Sequence, residues 1–164
     1  MKFRDAVIED LGRIVEIYNS TVPLRTVTAD TLLITVDSRI NWFHEHTADK
    51  RPLWIIEENE KITGWISFQY FSTRPAYRYT AEISIYLAPE TRGKGVGKKA
   101  LTYAIGQCEQ LNIKTIIGLI FAHNEPSIKL FSSFGFEQWG VLQNIAELDG
   151  VERSTVIVGK RIIK

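Results

Sequence analysis

Three features are scarce in this chain of 164 residues: cysteine, a surplus of charge of one sign, and long hydrophobic runs. The single cysteine, Cys108, excludes an internal disulfide and agrees with a reducing compartment. The 20 basic and 19 acidic residues leave a formal charge of +1. The chain as a whole therefore has no strong positive electrostatic field that would attract nucleic acid or an anionic membrane. Any anion site must therefore be local.

The chain also lacks signals for a membrane. Its longest apolar run, from Ile116 to Ala122, is far too short to span a bilayer. The N-terminal MKFRDAVIED is charged throughout and has no apolar core of a secretion signal. We therefore expect a cytoplasmic protein that binds neither membrane nor nucleic acid. The length and the 45% hydrophobic content predict one domain over residues 1–164.

Helix and strand patterns alternate along the chain. KFRDAV predicts a first strand, followed by a helix from about Glu9 to Asn19 and a short helix around Ser38 to His46. Later strands are predicted over PLWIIE, KITGWISFQY, TAEISIYLAP, TIIGLIFA, FEQWGVLQNIA and ERSTVIVGKRII, with helices before and after TIIGLIFA. The order βααβββαβαββ predicts an α/β fold with a mixed central sheet and helices on both faces.

A glycine loop, RGKGVG, lies between a predicted strand and a predicted helix. A P-loop is excluded because Lys98 and Lys99 follow its last glycine, and Lys98 also replaces the third glycine of a dinucleotide fingerprint. The pattern that remains is Arg-x-x-Gly-x-Gly. Its glycines let the backbone approach an anion, and the first N–H groups of the next helix point at it. The loop predicts a pyrophosphate site, or else a glycine turn without a ligand.

Several further motifs accompany this loop, namely IYNST, RPAYRYTAEISIYL and NEPSIKLFSSFGFEQWG. Together with RGKGVG they resemble the GCN5-related N-acetyltransferase (GNAT) superfamily, and within it the phosphinothricin and methionine sulfoximine (L-amino acid) acetyltransferase group. The resemblance implies a single-domain GNAT fold, acetyl-coenzyme A (acetyl-CoA) as the acyl donor, no metal, and a homodimer.

The resemblance also implies the residues of the donor site. The pyrophosphate would bind the backbone of Arg92, Gly93, Lys94, Gly95, Val96, Gly97 and Lys98. The pantetheine would pair with the backbone of Ile85, Tyr86 and Leu87. The far side of the donor would be lined by Asn124, Ser127 and Lys129.

Glu82 is the candidate catalytic base. An α-amino group is mostly protonated at neutral pH and must lose a proton before it attacks a thioester. Strand alternation puts Glu82 on one face with Ser84 and Tyr86, and partial burial would raise its pKa. By resemblance, Glu82 matches the glutamate assigned as general base in the phosphinothricin acetyltransferases. The alternative is an exposed strand carboxylate paired with a neighbour such as Arg78.

The general acid is not identified by the sequence. Many members of the superfamily use a tyrosine in the helix after the Asn-x-x-Ser segment, where this chain has Phe131. Phe131 cannot donate a proton. Thiolate departure would then be unassisted, or would be assisted by water, Tyr103 or another group.

For the acceptor, Arg74 and Tyr77 match the Arg-x-Ala-Tyr segment of the group, and a guanidinium can bind a carboxylate bidentately. The resemblance makes Thr28 part of the opposite wall. Trp42, Trp54, Trp65 and Trp139 are predicted core residues, with Trp65 also a candidate border of the acceptor pocket. Where the group commonly has an aromatic residue and an aspartate, this chain has Val151-Glu152-Arg153, which leaves the acceptor side chain open.

These observations favour an acetyl-CoA-dependent N-acetyltransferase that acts by direct attack in a ternary complex. The expected acceptor is the α-amino group of a small amino acid or analogue, such as phosphinothricin or methionine sulfoximine. The alternatives are another amine (a polyamine, an aminoglycoside or a peptide N-terminus) and a non-catalytic acyl-CoA-binding module. Cys108 is predicted to be a core thiol, and His44 and His46, one residue apart, make a poor metal pair.

Overall fold

In the computed structural model, which describes residues 1–162, the elements follow the predicted order βααβββαβαββ. The α-helices are α1 Leu11–Asn19, α2 Ile40–His44, α3 Val96–Gln107 and α4 Glu125–Ser133. The strands are β1 Lys2–Asp5, β2 Leu53–Glu58, β3 Lys61–Tyr70, β4 Thr80–Leu87, β5 Thr115–Phe121, β6 Glu137–Leu148 and β7 Val151–Arg161. Ile163, the last residue of the predicted C-terminal strand, lies outside the described residues.

The strands form one seven-stranded sheet in the order β1-β2-β3-β4-β5-β7-β6. The pairing of β4 with β5 is parallel, and the other pairings are antiparallel, so the mixed sheet is confirmed. The β2–β3 and β6–β7 hairpins turn at Asn59-Glu60 and Asp149-Gly150, and all four residues have positive φ. Two consecutive positive φ angles are typical of type I′ turns, which match the twist of the flanking strands.

Helices cover both faces of the sheet. On one face, Ile66 and Ile83 pack in a core with Leu101 of α3 and Phe131 of α4. On the other, buried residues of α1 pack against Trp65 and its neighbours. Because side chains alternate along a strand, Glu82, Ser84 and Tyr86 of β4 lie on the α1 face.

Candidate active site

The central sheet opens between β4 and β5. These parallel strands pair only from Thr80 to Glu82, opposite Thr115 to Ile117. Beyond that point β4 follows β3 to Leu87, whereas β5 follows β7 to Phe121, so the two halves of the sheet separate. From Ile83 onward, no described strand pairs with β4 on its β5 side. The resulting cleft is lined by Val27, Ile83, Ser84, Ile85, Tyr86, Leu87, Gly97, Gly118, Leu119, Ile120, Asn124, Ser127, Leu130 and Phe131.

The glycine loop connects β4 to α3. Gly93 and Gly95 have φ of 73° and 78°, in the left-handed region that favours glycine. Gly95 directly precedes α3, whose first N–H groups have no acceptor within the helix. The Arg92 guanidinium is engaged elsewhere, because Nε donates to the Leu87 carbonyl (3.1 Å) and Nη2 to Ser20 Oγ (2.8 Å). The loop can therefore present backbone N–H groups to an anion, rather than the Arg92 side chain.

The start of α4 forms the far wall of the cleft. The Asn124 side chain accepts a hydrogen bond from the Ser127 N–H (3.3 Å) and so caps the helix. Both residues line the cleft. Lys129 does not: its side chain is 80% exposed, and its ammonium lies 3.9 Å from the Glu125 carboxylate.

Neither Phe131 nor Tyr103 supplies a proton donor to the cleft. Phe131 lines it but packs edge-on against Phe136, with ring centroids 5.0 Å apart. Tyr103 stacks on Phe3 (4.2 Å) and lines a separate depression together with Phe3, Trp54 and Gln107. Tyr86 also lines the cleft, and its phenol ring stacks on Trp65 on the α1 face of the sheet. Burial raises the pKa of this phenol to about 12.

A second cavity, of about 170 Å³, lies on the α1 face of the sheet. It is lined by Ile14, Val15, Tyr18, Ile34, Arg39, Trp42, Trp65, Ser67, Gln69, Ser84 and Tyr86. Trp65 therefore borders it. Ser84 and Tyr86 line both the cavity and the cleft, so the two spaces meet at these residues. We call the second space the acceptor cavity.

Glu82 lies beside this junction. It shares the α1 face with Ser84 and Tyr86, and it pairs across the ladder with Gln69, which lines the acceptor cavity. Burial raises the pKa of the Glu82 carboxyl above its ordinary value. The predicted alternative partner, Arg78, instead donates to the Pro75 carbonyl (3.1 Å) and packs on Tyr79.

A small polar network supports one wall of the acceptor cavity. The Tyr18 hydroxyl donates to the Asp30 carboxylate and contacts the Thr28 hydroxyl. Thr28 is buried behind Tyr18 and does not itself line the cavity. Arg39 Nη2 donates to the same Asp30 carboxylate (3.3 Å). The network therefore joins α1, the Thr28–Asp30 segment and the turn before α2.

Other residues predicted for the acceptor site do not line the acceptor cavity. Arg74 is exposed, and Tyr77 is exposed and packs on Phe71. Val151 is exposed at the start of β7, and Arg153 lies two residues further on. Arg39, in contrast, lines the cavity although no motif in the sequence marked it. Contacts of its side chain with the Tyr18 ring of α1 and with the Asp30 carboxylate hold it there.

Residues 1–162 contain neither a metal-binding cluster nor a membrane-spanning helix. No group of three or more His, Cys, Asp or Glu in that range could hold a metal ion. Across the same residues, no helix is both long enough and apolar enough to cross a membrane.

The family model for the acetyltransferase (GNAT) family matches residues 14–136 of the sequence. The chain belongs to the GNAT family of acetyltransferases. The matched segment includes β4, the glycine loop and α4, and thus contains the whole cleft wall built from these elements.

Relatives of this GNAT chain include named acetyltransferases. "Putative phosphinothricin acetyltransferase YwnH" from Bacillus subtilis (strain 168) is 45% identical over 163 residues, covering 99% of each chain. An L-methionine sulfoximine/L-methionine sulfone acetyltransferase from Salmonella typhimurium (strain LT2) is 32% identical over 136 residues, covering 83% of this chain and 80% of the relative.

The fold of this chain is also similar to that of a solved acetyltransferase structure. A GNAT superfamily phosphinothricin acetyltransferase from Sinorhizobium meliloti, in complex with acetyl-CoA, superposes with a TM-score of 0.90 at 31% identity. The match covers 98% of this chain and 87% of that one. The GNAT fold expected from the sequence is therefore confirmed.

Proposed function

We propose that this acetyltransferase, as one domain over residues 1–164, transfers the acetyl group of acetyl-CoA to the α-amino group of a small amino acid or analogue. One observation carries the proposal: the cleft and the acceptor cavity meet at Ser84 and Tyr86, beside the half-buried Glu82 carboxylate. The names of the relatives make methionine sulfoximine and phosphinothricin the first acceptors to test.

The cleft suits acetyl-CoA, which supplies an activated acetyl thioester. The β4 backbone beyond Glu82 lacks a strand on its β5 side, so its peptide groups are available to an extended ligand. We assign the pantetheine to the backbone of Ile85, Tyr86 and Leu87, and the pyrophosphate to the backbone from Arg92 to Lys98. The far side of the donor is assigned to Asn124 and Ser127, and Lys129 is proposed to contact the donor from outside the cleft lining.

In the proposed reaction, Glu82 accepts a proton from the acceptor ammonium, directly or through water. A main-chain N–H near Leu87 polarises the thioester carbonyl. The uncharged amine attacks this carbonyl directly in a ternary complex; the C–S bond then breaks, and the departing coenzyme A thiolate takes up the proton that the new amide nitrogen loses. An acyl-enzyme on cysteine is disfavoured because Cys108 is buried in the core, where burial raises its pKa to about 12.

The acceptor cavity favours an amino acid over a polyamine. Its described lining includes no Asp or Glu, and a polycation would need such groups. Arg74 and Tyr77 remain proposals for contacts at the mouth of the cavity, since their loop begins soon after Gln69. Thr28 is proposed to act behind the cavity wall by holding Tyr18 in place.

We further propose a cytoplasmic homodimer. The edge strand β6 exposes Trp139, Val141, Leu142 and Ile145, a group of apolar side chains that a second copy would cover. The lone buried thiol of Cys108 agrees with a reducing compartment. Light scattering on the purified protein distinguishes a dimer from a monomer.

The test of the proposed function is release of free coenzyme A thiol from acetyl-CoA in the presence of single amines. The panel contains methionine sulfoximine, phosphinothricin, methionine, spermidine and an aminoglycoside. We expect turnover with the amino-acid analogues alone. Turnover with spermidine or the aminoglycoside instead would assign a different amine. Binding of acetyl-CoA without turnover on any amine, including peptides, would make the chain an acyl-CoA-binding module.

A further inference from the structure

Arg39 is the one charged side chain among the described residues that line the acceptor cavity. The other lining residues are apolar, aromatic or neutral and polar. A single positive charge in an otherwise uncharged pocket is a binding feature for a single negative group.

Neighbouring residues hold the Arg39 guanidinium in place and occupy only one of its N–H donors. Its guanidinium carbon lies 5.2 Å from the centroid of the Tyr18 ring and 5.8 Å from that of Trp42. One nitrogen, Nη2, donates to Asp30 at 3.3 Å. A guanidinium has five N–H donors, so this single bond leaves the paired donors that a carboxylate requires.

The cavity also contains a polar atom that lacks a partner. Ser67 is completely buried, and its Oγ has no hydrogen-bond partner among residues 1–162. It lines the acceptor cavity and pairs in register with Ser84, which borders the junction with the cleft. Buried hydroxyls normally have hydrogen-bond partners. A polar ligand or a water in this cavity would supply the partner that Ser67 Oγ lacks.

We infer that Arg39 binds the α-carboxylate of the acceptor amino acid and thereby orients its amine. The inference rests on the proposed function. The α-amino and α-carboxylate groups share one carbon, so a carboxylate held by Arg39 restricts where the amine can lie. The cavity adjoins the cleft at Ser84 and Tyr86, so the amine is directed toward that junction.

The experiment compares two acceptors that differ only in this group: L-methionine sulfone and its α-carboxamide. Both have a neutral side chain, so the α-carboxylate is the only negative group tested. Wild type should prefer the carboxylate. In Arg39→Gln, KM for the carboxylate should rise about tenfold or more while KM for the carboxamide changes less than about twofold. KM for acetyl-CoA should stay unchanged.

Two further variants complete the design. Arg39→Lys keeps the charge but loses the paired donors, so it should restore part of the preference. Arg13→Gln is the matched control, because Arg13 has similar side-chain exposure (31% against 29%), pairs with Glu16 and Glu90, and lines neither space. It should retain the wild-type preference.

Each outcome decides the inference. An equal loss on both acceptors in Arg39→Gln would overturn it, since Arg39 would then shape the cavity without reading the carboxylate. An unchanged preference would overturn it as well. If wild type acetylates both acceptors without preference, this inference fails and the proposed function stands; if wild type acetylates neither these acceptors nor any amino acid, the proposed function itself fails.

Discussion

Glu82 pairs with Ile117 at the last register position that β4 and β5 share. Its carboxylate therefore lies where the sheet opens, and the next residue on the same face, Ser84, borders both the cleft and the acceptor cavity. The strand that opens the cleft thus also carries the proposed base. In the proposed reaction, one short segment of backbone therefore serves both donor binding and proton acceptance.

Replacing this carboxylate tests the link. Glu82→Gln should lower kcat by about 100-fold or more, because general base catalysis contributes on this order, while acetyl-CoA binding stays within about twofold. The rate comes from thiol release and the affinity from calorimetry. Glu58→Gln, on β2 and outside both spaces, is the control and should keep full activity.

The pH profile gives a second readout of the same variant. Burial raises the pKa of Glu82, and the base is active when ionised, so wild-type kcat should fall as pH decreases through that raised pKa. This limb should be absent from the residual activity of Glu82→Gln. A variant with the wild-type rate and profile would remove Glu82 from the mechanism.

The same burial predicts a cost in stability. A carboxyl whose pKa is raised in the folded state binds more protons folded than unfolded, so the free energy of unfolding falls as pH rises between the two pKa values. Glu82→Gln should therefore raise the melting temperature at neutral pH relative to wild type. The gain should disappear as pH falls well below about 4, where the carboxyl is protonated in both states.

Calorimetric melts of both proteins across this pH range check the prediction. A melting temperature of Glu82→Gln that is lower than that of wild type at neutral pH would contradict it. In that case the ionised carboxylate would have to be stabilised in the folded protein by contacts that offset its burial.

The glycine loop gives a test of donor binding. Gly95 has φ of 78°, and an added Cβ would meet nothing within 4 Å, so Gly95→Ala introduces backbone strain rather than a clash. The left-handed conformation costs a non-glycine residue about 1–2 kcal/mol. If the loop relaxes to avoid this cost, the dissociation constant of acetyl-CoA should rise about tenfold.

The matched control is Gly106→Ala in α3, which also has open space around it but no positive φ. Alanine is favoured over glycine inside a helix, so this variant should bind acetyl-CoA like wild type and unfold at a slightly higher temperature. Equal affinities for acetyl-CoA in the two variants would argue against the loop as the pyrophosphate site.

Cys108 is predicted to be inert. It is completely buried, its thiol donates to the Ala104 carbonyl (3.3 Å), and burial raises its pKa to about 12. The folded protein should therefore react with a thiol reagent only after denaturation. Cys108→Ala should keep its acetyltransferase rate and lose about 1 kcal/mol of unfolding free energy. Loss of turnover in a folded Cys108→Ala protein would instead implicate the thiol in catalysis.

Local patterns account for what the sequence predicted well. The order of elements follows from helical and strand periodicity and from turn residues such as Asp149-Gly150, whose positive φ angles close the last hairpin. The alternation of β4 likewise predicted which residues share a face with Glu82. These features depend on residues a few positions apart in the chain, so one sequence is enough to predict them.

Boundaries and edges were predicted less well. The first helix was expected from about Glu9, but α1 begins at Leu11 after a 3-10 turn, Ile8–Asp10. There the Asp10 carboxylate accepts hydrogen bonds from Arg4 and from the Val7 N–H, and this fixes the turn. The expectation that Trp139 belongs to the core was wrong: it is 45% exposed, because β6 is an edge strand.

The sequence by itself determined the family, the glycine loop and the face of β4 that carries Glu82, because each is encoded in contiguous residues. The tertiary structure alone decided where the sheet opens, since that depends on β5 following β7, about 40 residues later in the chain. It also decided that Arg39, rather than Arg74, lines the acceptor cavity. Arg39 reaches the cavity through packing between segments that are far apart in the chain. No residue spacing in the sequence predicts such a contact.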